Sequence, residues 1–147
     1  MTNLDIIKAF NTKLREKFNT DVYIQDDNTQ GFEESCFFVR LFPESREIIA
    51  TDSYVKKVLV SIEYYQKRGG KIENLYKTKE ELDDLFALDM KISDRNILIE
   101  KTKYKINPDE VGSTLSFLVY LRYSDKINKH EKEYETAENV EIEYTKE

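Results

Sequence analysis

Few residues in this chain have the types and spacing that catalysis requires, and those few lie around its single cysteine. Cys36 follows two adjacent carboxylates, Glu33 and Glu34, and precedes an apolar run. A nucleophilic thiolate needs a neighbouring cation or a helix N-terminus, whereas this apolar setting predicts a buried and unreactive thiol. Adjacent side chains on an extended chain point in opposite directions, so the two glutamates predict a solvated turn rather than an acid–base pair. The stretch therefore favours a turn that leads into a buried strand.

The remaining candidates for chemistry are isolated in the sequence. His130 is the only histidine and lies among Glu and Lys residues. A zinc site needs clustered His and Cys ligands, so we predict a solvated side chain here. The Arg-Gly-Gly run at 68–70 lacks the Gly-Lys-Ser/Thr that completes a phosphate-binding loop. We predict no catalytic residue, no cofactor site and no metal site.

Composition and charge indicate one globular domain with little affinity for nucleic acid. The chain has 147 residues, of which 39% are apolar and 35% charged, enough to bury one sizeable core. Its 23 basic and 29 acidic residues give a net charge of −6, whereas a protein that binds phosphates uses an excess of Lys and Arg.

No apolar run approaches the roughly 20 residues of a membrane span, and the N-terminal residues lack a signal-peptide pattern. One cysteine forms no internal disulfide, which is typical of intracellular synthesis.

Hydrophobic periodicity predicts a helix and two strands in the first third of the chain. Residues 3–18 carry an apolar stripe at a spacing of three and four, formed by Leu4, Ile7, Phe10, Leu14 and Phe18. Thr2 and Asp5 occupy the positions of a capping box variant. Residues 21–25 form a short strand candidate, and residues 36–42 form an apolar strand that is bounded by Pro43.

The rest of the chain predicts three longer strands and a second helix. Residues 54–65 alternate, and one face carries Val58, Val60, Ile62 and Tyr64. A capping box from Thr78 to Glu81 predicts a helix that begins near Thr78. Residues 96–106 and 114–123 predict an antiparallel hairpin, because Pro, Asp and Gly lie between the two runs. The second run alternates as well, and one face carries Leu115, Phe117, Val119, Leu121 and Tyr123.

The order of these elements predicts an α+β fold with a single, mostly antiparallel sheet and two helices packed on one face. We assign this domain to residues 1–123. Residues 124–147 form a charged C-terminal arm, because the segment has too few apolar groups to add to a core. Within the arm, Val140, Ile142 and Tyr144 alternate with glutamates, which is the signature of a short strand at 140–144.

Tyrosines are unusually frequent on or beside the predicted strands. A tyrosine at a strand end buries apolar area while its hydroxyl stays accessible, which suits a protein interface. Tyrosines that merely flank a core are the alternative, and the sequence leaves both open. The residues concerned are Tyr54, Tyr64, Tyr65, Tyr104, Tyr120 and Tyr123.

The order and length of the elements, together with one local signature, resemble a known family. The signature consists of Gly31, Phe32, Glu33, Glu34, Cys36, Phe37 and Phe38. Combined with the N-terminal helix, the Tyr-bounded strand, the second helix and the terminal hairpin, it resembles the small tail terminator proteins of tailed bacteriophages and phage-tail-like particles. The resemblance covers residues 1 to about 123, and Ser35 stands where the family pattern has proline.

This resemblance implies structural work in a virion rather than catalysis. Tail terminators form a homohexameric ring on the head-proximal end of the tail tube, where they stop tube polymerisation and offer a surface to the head–tail connector. In contractile tails they also touch the last ring of the tail sheath. The resemblance therefore implies a place in the neck region of the virion tail, after synthesis in the bacterial cytoplasm. DNA would pass through such a ring without specific binding.

A closed ring requires two different contact patches on each subunit. A sheet edge and a C-terminal strand would supply them by strand addition. Val140, Ile142 and Tyr144 are therefore candidate contacts to a neighbouring subunit or to a tube or sheath protein, and a disordered arm is the alternative. Another head–tail joining protein, or an antitoxin-like binding module without a virion role, remains as a rival function.

Overall fold

The computed structural model of the protein describes residues 1–19, 21–24, 35–67, 69–107 and 114–127. The elements in chain order are α1 (Asn3–Phe18), β1 (Asp21–Ile24), β2 (Cys36–Ala50), β3 (Ser53–Tyr65), α2 (Ile72–Leu85), β4 (Asp89–Ile92), β5 (Arg95–Asn107) and β6 (Thr114–Lys126). Within the described residues the strands form a six-stranded sheet in the order β1-β2-β3-β6-β5-β4. β1 runs parallel to β2, and the other pairings are antiparallel. The predicted α+β fold class is confirmed.

Helix α1 begins and ends where local chemistry dictates. The Thr2 hydroxyl accepts a hydrogen bond from the Asp5 N–H at 3.1 Å, and the Asp5 carboxylate accepts one from the Thr2 N–H at 2.9 Å, so the predicted capping box is confirmed. Asn19 ends the helix in the left-handed conformation at φ 51°, which asparagine tolerates. The predicted apolar stripe was partly wrong, because Ile6 is fully buried whereas Leu4 is exposed.

The length of α1 matches the width of the sheet that it crosses. At about 1.5 Å per residue, its 16 residues span about 24 Å. Six strands at a spacing of about 4.8 Å also span about 24 Å between the outer two. Accordingly, α1 contacts β1 and β2 at one end of the sheet and β4 at the other.

Helix α2 begins at Ile72, six residues before the start that the sequence predicts near Thr78. Thr78 is buried together with Leu75 and Leu82, so its side chain lies on the helix face that packs against the sheet. A residue in that position cannot serve as an exposed cap. The N-cap is instead Lys71, whose side chain makes no capping hydrogen bond.

Strand β2 continues to Ala50, beyond the boundary predicted at Pro43. Beyond Val39 no described strand pairs with the outer side of β2, so Pro43 lies in an edge strand. It also adjoins a register shift between Pro43 and Ser45. Proline is tolerated at edges and bulges because its missing N–H is not needed there.

One face of the sheet, called here the helix face, is covered by α1 and α2. Its central residues on β3 and β6 are fully buried, as the sequence predicts: Val58, Val60, Ile62, Leu115, Phe117 and Val119. Phe86, just after α2, stacks on Phe10 of α1 with ring centroids 5.1 Å apart and lies 6.3 Å from Phe117 of β6. These three rings form a contact that links α1 and the end of α2 to the sheet.

The described chain ends close to the turn between β2 and β3. β6 extends through Lys126, and the Ile127 N–H donates a hydrogen bond to the Asp52 carbonyl at 2.9 Å. Residues 128–147, which include the predicted strand at 140–144, lie outside the described residues. The arm assignment therefore stays a prediction.

Candidate interaction surfaces

The second face of the sheet, called here the open face, carries no described helix. Register places Lys103 opposite Leu118 and Lys105 opposite Ser116 across β5 and β6. The next strand inward, β3, places Ser61 opposite Leu118 and Glu63 opposite Ser116. Each row across this face thus changes from an exposed lysine at the β5 side to partly or fully buried polar and apolar groups at the centre.

Tyr120 is the aromatic centre of the lysine side of the open face. The ammonium of Lys101 lies 4.8 Å from its ring centroid and that of Lys103 lies 5.7 Å away. Both distances are within the range of cation–π attraction. The contacts hold the lysine side chains against the sheet, so that their charges are presented at a defined place.

Glu63 organises the polar centre of the open face. Its carboxylate accepts hydrogen bonds from the Ser116 hydroxyl at 3.2 Å and from the Tyr65 hydroxyl at 3.4 Å. Burial, together with the charge of Glu63, raises the pKa of Tyr65, while the Tyr65 ring meets Phe38 edge-on at 5.0 Å. Within the described residues this cluster combines two hydroxyl groups with one carboxylate and contains no histidine.

The outer edge of β5 beyond Leu98, called here the β5 edge, spans residues 99–107. β4 pairs only with Arg95 to Leu98, and the Ile99 N–H donates to the Leu88 carbonyl at 2.9 Å. No other described strand pairs with this side of β5. Beyond Ile99, the outward backbone groups of the β5 edge therefore have no partner among the described residues, as the addition of a strand requires.

The two faces of the β5 edge differ in chemistry. Its open face carries the exposed residues Lys101, Lys103 and Lys105. On the helix face, Tyr104 is 48% exposed although its neighbours on β6 are buried. The ammonium of Lys79 from α2 lies 4.5 Å from the Tyr104 ring, which brings α2 beside this edge.

The far end of the β2–β3 hairpin forms a second exposed surface. Ile48 and Ile49 are both 55% exposed, and Arg46 lies over the Tyr54 ring at 4.3 Å. Ile49 also lines a shallow groove with Leu98, which is exposed on β5. The outer side of this hairpin is the second edge at which no described strand pairs.

A charged cluster lies at the end of β6, and one of its members, Arg95, also lines that groove. The Asp125 carboxylate lies 3.5 Å from the Arg95 guanidinium and 3.4 Å from the Met1 amino group. Partial burial acts to raise the pKa of Asp125, but hydrogen bonds from the Lys126 N–H and the Met1 amino group, with the Arg95 charge, lower it below its ordinary value. The cluster therefore holds an ionised carboxylate at the end of β6.

The residues that the sequence marks for chemistry are not brought together. Cys36 is buried at the start of β2, opposite Tyr65, which confirms its predicted burial. Glu33, Glu34 and His130 lie outside the described residues, as do the candidate contacts Val140, Ile142 and Tyr144. Within the described residues, no group of three or more His, Cys, Asp or Glu side chains is arranged to hold a metal ion.

The predicted strand tyrosines divide between core and surface. Tyr123 is buried and Tyr64 packs on Phe37 at 4.8 Å, so these two flank the core. Tyr104 and Tyr120 lie on opposite faces of the sheet beside the lysine side. Sequence reasoning missed the lysine row at 101, 103 and 105, although its period of two was visible as a strand pattern.

Comparison with known proteins gives a family and a fold. A family model described as phage tail terminator protein matches residues 5–133, and a comparison with curated proteins finds no match. One solved chain without a functional description superposes with a TM-score of 0.55 at 15% identity, over 87% of this chain and 97% of that chain. At that identity the likeness shows a shared fold alone. None of the helices in the described parts of the chain is long and apolar enough to cross a membrane. Because the family model matches most of its length, the chain belongs to the phage tail terminator protein family and is a structural component of a virion tail.

Proposed function

We propose that copies of this chain form a homohexameric ring on the head-proximal end of a phage tail tube, where the ring stops tube polymerisation and joins the tail to the head connector. The family match carries this proposal. Its direct partners are further copies of itself, the tail tube protein and the connector or neck protein. In a contractile tail, the last ring of the sheath is an additional partner.

The two sheet edges at which no described strand pairs support a ring. A ring forms from heterologous contacts, in which one patch on a subunit meets a different patch on the next. The outer side of β2 beyond Val39 and the β5 edge lie at opposite sides of the same sheet. Each subunit therefore has two chemically distinct edges that face away from one another.

The C-terminal arm supplies a third element for these contacts. Val140, Ile142 and Tyr144 remain our proposed contact residues to a neighbouring subunit or to a tube or sheath protein. They alternate with glutamates in a segment too polar to form a core of its own.

The charge of the chain suits a ring through which DNA passes. At a net charge of −6 per chain, the inner wall of an oligomer would repel phosphates rather than hold them. A duplex DNA affinity that falls steeply with salt would contradict this part of the proposal.

Light scattering after size exclusion and electron microscopy of assembled tails test the proposed function together. We expect a sixfold assembly, either in solution or on the tube, and density for this chain where the tail shaft meets the neck. Tails made without it should have tubes of irregular length and should not join heads. Tubes of normal length that join heads without this chain would refute the proposal.

A further inference from the structure

We propose that the β5 edge receives residues 139–144 of a neighbouring copy as an added strand. In this arrangement Glu141 and Glu143 face the lysines of the open face, while Val140, Ile142 and Tyr144 face the α2 side. The inference rests on the proposed ring, because it names the contact that joins one subunit to the next.

The backbone of the β5 edge favours an added strand. Eight residues of β5, from 100 to 107, have no described backbone partner on their outer side, and a six-residue segment fits within that length. Strand addition satisfies exposed N–H and C=O groups without requiring a preformed pocket.

Charge complementarity determines which side chains of the added strand turn toward the open face. Lys101, Lys103 and Lys105 project on the open face at every second residue. Glu141 and Glu143 recur in the arm with the same period of two, so an added strand that turns its glutamates to this face places opposite charges in cross-strand positions.

The helix face offers the matching apolar surface. Tyr104 is nearly half exposed and Ile106 is partly buried against the core. Tyr76 is 51% exposed on α2, one turn before Lys79, whose ammonium lies over the Tyr104 ring. Val140, Ile142 and Tyr144 would cover this surface while the glutamates pair with the lysines.

The pairing of arm glutamates with edge lysines is possible whether the added strand runs antiparallel or parallel to β5. An antiparallel addition pairs Lys105 with Glu141 and Lys103 with Glu143, whereas a parallel one pairs Lys103 with Glu141 and Lys105 with Glu143. Because the same four residues meet in either case, one set of charge variants tests both directions.

The outer edge of β2 is a poorer receptor for the same segment. It contains Pro43, which donates no backbone hydrogen bond, and two register shifts, whereas the β5 edge has one, between Ile99 and Lys101. Its charges are mixed, since Glu44 and Glu47 accompany Arg46. On the β5 edge the one acidic residue, Glu100, lies at the register shift before Lys101, and the residues beyond it carry only basic charge.

The position of the described chain end favours a neighbouring copy over the same chain. Ile127 lies beside Asp52, at the end of the sheet where Arg95 hydrogen-bonds the Ser124 carbonyl. At that end β4 occupies the outer side of β5, so the described chain ends beside the paired half of β5 and not beside the β5 edge. Exchange around a ring fills every edge with an identical contact.

Two charge-reversed variants of the full chain test the inference. The edge variant carries Lys103→Glu and Lys105→Glu, and the arm variant carries Glu141→Lys and Glu143→Lys. Each variant alone sets like charges against each other, so we expect its self-association, measured by light scattering over a concentration series, to weaken by about tenfold or more. An equimolar mixture should regain wild-type assembly as an alternating ring, because every edge then meets an arm of opposite charge.

The control variant carries Lys8→Glu and Lys17→Glu, which change the charge equally at exposed positions of α1, away from the β5 edge. It should assemble like the wild type, and thermal melts should show that all variants fold.

Normal assembly by the edge and arm variants would overturn the inference and leave the proposed ring intact. Rescue by all four changes in one chain, without rescue by mixing, would show that the arm binds its own subunit and would also overturn it. A wild-type chain that forms no ring in solution or on tails would refute the proposed function, and the inference with it.

Discussion

The two faces of the sheet are built from the same strands, yet they have different chemistry. Along β6, Leu115, Phe117 and Val119 are fully buried beneath the helices, whereas the intervening Ser116, Leu118 and Tyr120 stay partly accessible. On the helix face, stacked aromatic rings pack the helices against the sheet. On the open face, the side chains interact through hydrogen bonds to Glu63 and through lysines that lie over the Tyr120 ring.

This difference separates stability from recognition. Burial of apolar area provides most of the folding free energy, and that area lies on the helix face. Defined charges and exposed edges provide selectivity for a partner more than stability, and they lie on the open face and the β5 edge. Substitutions on the two faces should therefore have effects of different size and kind.

The largest contrast is expected between two phenylalanines. Phe117→Ala removes a fully buried ring from the helix face and should lower the free energy of unfolding by about 3–5 kcal/mol. Phe42→Ala removes a ring that is 41% exposed on the open face and should cost less than about 1 kcal/mol. Urea denaturation measures both. Similar losses for the two variants would break the distinction between the faces.

A second contrast lies within the first turns of α2. Leu75→Ala should destabilise the chain by about 2–5 kcal/mol, because this side chain is fully buried on the helix face. Ile72→Ala, three residues earlier on the exposed side of the same helix, should cost less than about 1 kcal/mol. If Leu75→Ala had an equally small effect in thermal and urea unfolding, α2 would begin later than the structure places it.

A third prediction concerns pH at the end of β6. The pKa of Asp125 is lowered in the folded state, so its carboxylate stabilises the fold above the ordinary aspartate pKa of 3.8. That contribution is lost as the pH falls through the lowered pKa. Asp125→Asn should therefore cost about 0.5–1 kcal/mol at pH 7 and almost nothing near pH 2. Asp84→Asn, exposed on α2, serves as the control, and a pH-independent cost at Asp125 would contradict the assignment.

The smallest effect is expected on the outer surface of α2. Lys79 forms an ion pair with Asp83 one helical turn away, and both side chains are accessible to solvent. Lys79→Ala should change the free energy of unfolding by only about 0.3 kcal/mol, and the change should shrink in high salt. A loss above about 1 kcal/mol would mean that the Lys79 contact with Tyr104 matters to the fold itself.

The sequence predicts best where one periodicity controls a whole element. The alternating patterns of β3 and β6 identify their buried faces, because a strand that packs one face against a core has a strict period of two. The capping box at Thr2 and Asp5 was also predicted, because its donors and acceptors lie within four residues.

The errors arise where tertiary packing overrides a local signal. Thr78 and Glu81 have the spacing of a helix start, but Thr78 is buried between Leu75 and Leu82. Pro43 has the local character of a strand end, yet β2 continues because its outer side needs no N–H donor there. Neither fact is present in the neighbouring residues alone.

The candidate surfaces were only partly predictable for a related reason. The sequence contains the period of the lysines at 101–105, but it does not show that β4 pairs with β5 only as far as Leu98 and that no described strand continues along the lysine segment. Strand order and strand length decide which backbone groups are available, and both depend on contacts between distant parts of the chain.

The three lysines on the open face of the β5 edge also govern how identical copies behave at high concentration. If two such strands met side by side with their faces aligned, ammonium groups would lie against ammonium groups, and the repulsion would oppose the open-ended stacking that leads to fibrils. A solution of this protein should therefore resist precipitation at low ionic strength and become more prone to it as added salt masks the lysines.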